Sequence, residues 1–201
     1  MPHVIAVCGS MGSGKTTVVR HLSQLLPQCA VLFEDDFNRT PERSLEEIQA
    51  WFDRGADVSE FDLSAFGHAI DRCLRNNDCG NDDTPGGFLL LESQFGRTHP
   101  LLRSRIDLQC WIDVPLDVAI VRKLEQISSG LQQDRMVRAS DGLSWIADFC
   151  HAWLTSTRQL VERQRKDVRQ CSDIRINGMR EPHDVVRQIL DELPMRQLIN
   201  T

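Results

Sequence analysis

A chain of 201 residues is long enough to bury one substantial core, and a single domain over 1–201 is the default expectation at this length. Its 41% hydrophobic and 26% charged residues exclude a wholly disordered or collagen-like chain, and no apolar run is long enough to cross a bilayer. The net charge of −6, from 23 Lys+Arg against 29 Asp+Glu, disfavours an extended nucleic-acid footprint but allows a local phosphate pocket.

The first element is a buried strand, His3–Cys8, followed by the glycine-rich run Gly9–Thr17 and a helix over Lys15–Leu26 with Val18, Val19, Leu22, Leu25 and Leu26 on one broad face. Pro27 stops that helix. Cys29–Phe33 reads as a second strand and runs into Glu34, Asp35 and Asp36. Pro41 opens a helix through Ser44–Asp53, and a further helix is expected from about Asp62 to Arg75. Asn76–Gly87 reads as a polar loop.

Phe88–Glu92 is continuously apolar until its last residue, as in a parallel strand covered on both faces. Asp107–Val114 reads in the same way, with Pro115 starting a helix over Leu116–Ile127. Beyond Gly130, the polar segment Leu131–Asp141 carries Arg135 and Arg138 and precedes a long helical tract, Gly142–Asp167. Cys171–Ile176 is expected as the last strand and Glu181–Leu193 as the closing helix. Five apolar strands alternating with helices imply a three-layer α/β sandwich around a five-stranded parallel sheet, with ligands at the C-terminal strand ends.

Seven cysteines occur without a CxxC pair, which suits a reducing, cytoplasmic setting. Cys8, Cys110 and Cys171 fall in strand-like segments where a thiol acts as a small hydrophobe. The apolar N-terminal run Pro2–Cys8 is too short for a secretory leader and is kept as structure.

The run Gly9, Ser10, Met11, Gly12, Ser13, Gly14, Lys15, Thr16 satisfies G-x-x-x-x-G-K-[ST] between a strand and a helix, followed by Thr17. Glycines let such a loop turn its N–H groups inward, and the helix adds its own unpaired donors. Lys15 is positioned for the β- and γ-phosphates of ATP and the Thr16 hydroxyl for the Mg²⁺ shell.

Transfer to a hydroxyl also needs a carboxylate to orient it and take its proton. Asp35 and Asp36 follow the second strand and Glu92 closes the third, so Asp35 and Glu92 join Thr16 as metal candidates. Arg135 and Arg138 are the arginines expected to cover the phosphates, with Arg97 and Arg122 as further candidates. Asp113 carries a weaker signal, that of a helix cap. Among the aromatics Phe37, Trp51, Phe61 and Phe95, Trp51 reads as packing.

With the loop, "LPQCAVLFEDDF" (Leu26–Phe37), "FDL" (Phe61–Leu63), "GFLLLE" (Gly87–Glu92) and "WIDVPLDVAIVRK" (Trp111–Lys123), the chain resembles small-molecule P-loop kinases of the uridine kinase and nicotinamide riboside kinase type. The resemblance implies a P-loop NTPase-like fold with the loop strand central. It also implies acceptor-binding helices over about 41–75 and a mobile lid over about 130–141. By the same resemblance Asp35 would face the acceptor 5′-hydroxyl, Asp62 would bind ribose hydroxyls, Phe61 would stack on a planar ring and Glu92 would assist at the metal. The chain departs from the family pattern in Asn38 and Arg39 after Phe37, and in Glu92-Ser93-Gln94 where the family carries Glu-Gly.

The expected activity is ATP-dependent phosphorylation of a small nucleoside-like alcohol by a monomer or homodimer, with no nucleic-acid or membrane partner. Nucleoside monophosphate, antibiotic and sugar kinases share the donor chemistry, and a nucleotide-dependent switch or assembly protein is the alternative of another class. No N-K-x-D sequence is present to read guanine. The basic run Arg163–Arg169 reads as an exposed helix face.

Overall fold

A computed structural model of the chain describes residues 2–37, 45–76, 87–133, 139–196 and 198. Its centre is a five-stranded sheet in the order β2-β3-β1-β4-β5, built from β1 (His3–Gly9), β2 (Cys29–Phe33), β3 (Phe88–Ser93), β4 (Leu108–Asp113) and β5 (Ile174–Asn177). Every neighbouring pair is parallel. The three-layer α/β sandwich expected from the alternation is therefore the observed fold, and the strand before the glycine run is central, as the resemblance to P-loop kinases implied.

The helices are α1 (Lys15–Leu25), α2 (Leu45–Asp53), α3 (Ser64–Asn76), α4 (Pro100–Arg103), α5 (Leu116–Gln133), α6 (Ala139–Ala152), α7 (Arg158–Gln170) and α8 (Pro182–Met195). A π-helical turn, Trp153–Thr157, joins α6 to α7.

The central strands have few polar side chains because both faces are covered. Ile5 and Val7 of β1, with Leu90 and Ile112, pack into one core against Val19 and Leu22 of α1 and Val186 and Ile189 of α8. The alternate residues Val4, Ala6 and Cys8, with Leu89, Leu91 and Trp111, form the other core with Trp51, Phe66 and Leu102. A strand's period of two sends neighbouring side chains to opposite faces, so one apolar run supplies both cores. Truncating a fully buried leucine such as Leu91 to alanine is expected to cost about 3 kcal/mol.

Several boundaries differ from the expectation. β5 begins at Ile174, and Cys171 lies exposed in the turn before it rather than in a strand; Cys8 and Cys110 are buried as expected. α5 continues through Gln133 where a polar lid was expected to start after Gly130. Residues 134–138, with Arg135 and Arg138, lie outside the described residues, as do 38–44 and 77–86. The short α4 had no periodic signal in the sequence; Pro100 starts it and His99 caps it through the Leu101 N–H.

Candidate phosphate-binding and carboxylate site

The glycine run bridges the C-terminal end of the central strand and the N-terminus of α1. Gly12 (φ 71°) and Gly14 (φ 92°) both take left-handed backbone conformations. A Cβ on Gly12 would lie 2.0 Å from the Ala119 carbonyl oxygen of α5, so this position has neither conformational nor steric room for another residue. Gly14 is the N-cap of α1 and provides no side-chain hydrogen bond, and the first turn of the helix contains no acidic residue. The N-terminal donors and positive dipole end of α1 are thus left for an anion.

Side chains in the loop are consistent with that purpose. The backbone carbonyl of Ser10 accepts from the Ser13 N–H at 3.1 Å and from Lys15 Nζ at 3.2 Å. Ser10 shapes the turn from a buried position, and Lys15 is folded back on the loop with its side chain almost covered. The buried Ser13 Oγ has no hydrogen-bond partner. A buried hydroxyl without a partner costs about 1–3 kcal/mol, and in a phosphate loop an incoming anion is a natural acceptor for it.

Asp35 and Glu92 come from adjacent strands. β2 and β3 run parallel with Phe33 opposite Glu92, so the turn Glu34–Asp36 meets the end of β3. Together with Gly12, Lys15, Thr16 and Thr17, Asp35 and Glu92 line one cleft of about 460 Å³. Arg122 and Lys123 of α5 and Leu160, Val161 and Gln164 of α7 form its other side. A second cavity, of about 280 Å³, shares Gly14, Thr17 and Arg122 with the first and adds the apolar side chains of Ile112, Met179 and Val185. Arg122 also donates to the Gly178 carbonyl at 3.1 Å.

The turn separates its three acids. Glu34 is buried at 1% exposure, whereas Asp35 and Asp36 are exposed, and only Asp35 of that pair lines the cleft. Glu34 Oε2 accepts from the Ser93 hydroxyl and from the Gln94 N–H, the latter at 3.2 Å. Its Oε1 has no partner. Burial pushes the Glu34 carboxyl up to about 7, against a smaller downward pull from the Ser93 and Gln94 hydrogen bonds. Beside it, Gln94 Nε2 donates to Asp35 Oδ1 at 2.6 Å.

Three further candidates from the sequence make contacts within the fold. Phe61 is buried at 5% exposure, packed edge-to-face on Trp51 at 5.1 Å and against Phe95 at 4.9 Å, so its ring is part of the aromatic core. Asp62 Oδ1 accepts from the Ser64 N–H at 2.9 Å, which is a capping contact at the start of α3. Arg97 holds Asp173 at 2.7 Å and the carbonyls of Ile106 and Asp107 at 3.0 and 2.8 Å, which engages it in tying the end of β3 to the segment before β5. Trp51 is packing, as expected, with its Nε1 donating to the Asp57 carbonyl.

Asp113 does not act as the helix cap that its position suggested. It accepts from Arg165 at 3.1 Å and pairs with Arg169 at 3.3 Å, fastening β4 to α7. The basic run Arg163–Arg169 is accordingly half committed, with Gln164 and Val168 buried beneath it.

Sequence reasoning gave no role to Glu34, Ser93, Gln94 or the α7 residues. The departure Ser93-Gln94 was a usable signal for the first group. Leu160, Val161 and Gln164 lie on a helix far from any motif, and nothing local marks them.

No protein-family model matches the chain. A uridine kinase from Borrelia hermsii is 25% identical over 142 residues, spanning 63% of this chain and 68% of that protein, and one from Borrelia turicatae is 26% identical over the same length and shares. A shikimate kinase structure from Aquifex aeolicus superposes with a TM-score of 0.50 at 19% identity, covering 98% of this chain and 99% of its own. A sugar kinase from Janibacter gives 0.51 at 18% identity and covers both chains fully. At such identities the structural likeness establishes the fold. In sequence and in fold together, the chain resembles P-loop small-molecule kinases.

Proposed function

We propose that the chain transfers the γ-phosphoryl group of ATP to a hydroxyl of a small nucleoside-like molecule. The observation that carries this reading is the meeting, in one cleft, of an uncapped helix N-terminus with Lys15 and of carboxylates from two neighbouring strand ends. A nucleoside is preferred over other alcohols because the sequence relatives are named uridine kinases.

In this reading the loop N–H groups and Lys15 hold the donor phosphates, and the second cavity, with its apolar wall beyond Thr17, receives the base end of the nucleotide. The residues present suit Mg²⁺: the Thr16 hydroxyl and the Glu92 carboxylate are hard oxygen donors lining the cleft, and phosphate oxygens would complete the shell. When bound, the ion would neutralise charge on the phosphates.

Asp35 accepts the proton of the acceptor hydroxyl as that oxygen forms its bond to the γ-phosphorus. The bond from phosphorus to the bridging oxygen breaks, and ADP leaves with that electron pair. Arg122 and Lys123 add positive charge on the α5 side, and Arg135 and Arg138 remain proposed as lid groups. No covalent enzyme intermediate is required, since positioning and electrostatics carry the barrier reduction.

The test is a panel of uridine, other nucleosides, nucleoside monophosphates, sugars and shikimate with ATP and Mg²⁺, read by a mass gain of one phosphoryl group. Turnover with nucleosides supports the reading. Turnover confined to monophosphates reassigns the acceptor, and slow ATP hydrolysis indifferent to every alcohol favours a switch protein.

A further inference from the structure

Where β2 and β3 end side by side, two cross-strand pairs stack one above the other. The inner pair is Glu34 with Ser93, and both residues are buried at 1% exposure. The outer pair is Asp35 with Gln94, joined at 2.6 Å and facing the cleft. The inner pair also fixes the backbone carrying the outer one, because Glu34 takes the Gln94 N–H and Ser93 Oγ takes the Gly96 N–H at 2.9 Å.

An exposed aspartate on a short turn has several rotamers open to it. A donor on one carboxylate oxygen removes most of that freedom and leaves the other oxygen for a substrate hydroxyl. Gln94 supplies such a donor on Asp35 Oδ1, from a strand end that cannot shift without disturbing buried Glu34.

We propose that Gln94 is a positioning residue for phosphoryl transfer, holding Asp35 in its working orientation from a strand end anchored by Glu34. This rests on the kinase reading above. Gln94 acts through Asp35 and takes no proton itself. Its side chain is partly exposed on the cleft wall, so its removal is expected to cost activity and not folding.

The test uses the full chain with ATP, Mg²⁺ and the alcohol turned over fastest in the panel, beginning with uridine. Gln94→Met keeps the length and loses the donor. Its kcat is expected to fall about tenfold or more, with the KM for ATP within about twofold of wild type and Tm unchanged. In an Asp35→Asn background the same change is expected to add little, because the group it positions is already disabled.

A second readout does not depend on turnover: the Gln94 side-chain amide resonance, assigned by its absence from Gln94→Met, is expected to move in Asp35→Asn. Wild-type turnover with Gln94→Met equally fast, losses that multiply in the double variant, or an unmoved resonance would each overturn the proposal alone. A wild-type chain that phosphorylates no alcohol overturns the kinase reading and this proposal with it.

Discussion

Replacing Glu34 by glutamine removes a buried ionisable group while keeping an amide oxygen to accept from Ser93 and the Gln94 N–H. The carboxyl is raised from an ordinary 4.5 to about 7, chiefly by burial. Between those values the folded chain keeps a proton that the unfolded chain has lost. The stability this group contributes is therefore fully present below about 4.5 and is lost as pH rises through about 7.

Integrating that difference at 1.36 kcal/mol per tenfold change in proton affinity gives a loss of about 2–3 kcal/mol from about pH 5 to about pH 8. Glu34→Gln lacks this titration. The new NH₂ takes the place of the unpartnered Oε1 and imposes a roughly constant cost of about 1–3 kcal/mol across the range. Urea unfolding of both proteins at a series of pH values is the assay. The stability gap is expected to move in the variant's favour by about 2–3 kcal/mol between the two ends. A gap that stays constant with pH would show that Glu34 is ionised in the folded chain at all these values and would refute the reasoning.

Further outcomes concern the loop, Phe61 and Arg97. Lys15→Ala is expected to weaken ATP binding and transfer together, whereas Asp35→Ala suppresses transfer by about a hundredfold or more with ATP binding retained, as calorimetry and turnover would separate. Gly12→Ala, forced against the Ala119 carbonyl and into an unfavourable φ, is expected to abolish nucleotide binding, measurable by the loss of ATP-dependent thermal stabilisation. Phe61→Ala is expected to cost about 3 kcal/mol of stability in denaturant, with the acceptor KM of the folded fraction unchanged; a raised KM at intact stability would return Phe61 to the ligand. Arg97→Ala is expected to lower Tm with little effect on kcat, because its partners are Asp173 and two backbone carbonyls.

The donor half of the proposed site was legible because it is local. Strand, loop and helix follow one another from His3 to Leu25, and the glycine spacing leaves one way to wrap an anion. Glu92 was legible as an acid ending an apolar strand. The choice between Asp35 and Asp36 was not, since the tight turn at Glu34–Asp36 decides which side chain meets the cleft, and that depends on the neighbouring strand end. Phe61 stayed ambiguous for a similar reason: an aromatic before a helix reads identically whether a ligand or Trp51 and Phe95 cover its ring. The cleft wall from α7 depends on a helix brought back over β1 by tertiary packing, and Arg165 and Arg169 looked solvated because their partner, Asp113, lies across the fold. Boundaries slipped where local signals were weak, as at the end of α5, where Gly130 did not stop the helix.

The most direct measurement follows the γ-phosphoryl group itself: ATP labelled at that phosphorus, Mg²⁺ and uridine, with wild type, Lys15→Ala and Asp35→Ala compared side by side. Label is expected on the nucleoside 5′-oxygen with wild type and in neither variant. Label released only as free phosphate, at a rate the same with and without the nucleoside, would contradict phosphoryl transfer to an alcohol in this cleft.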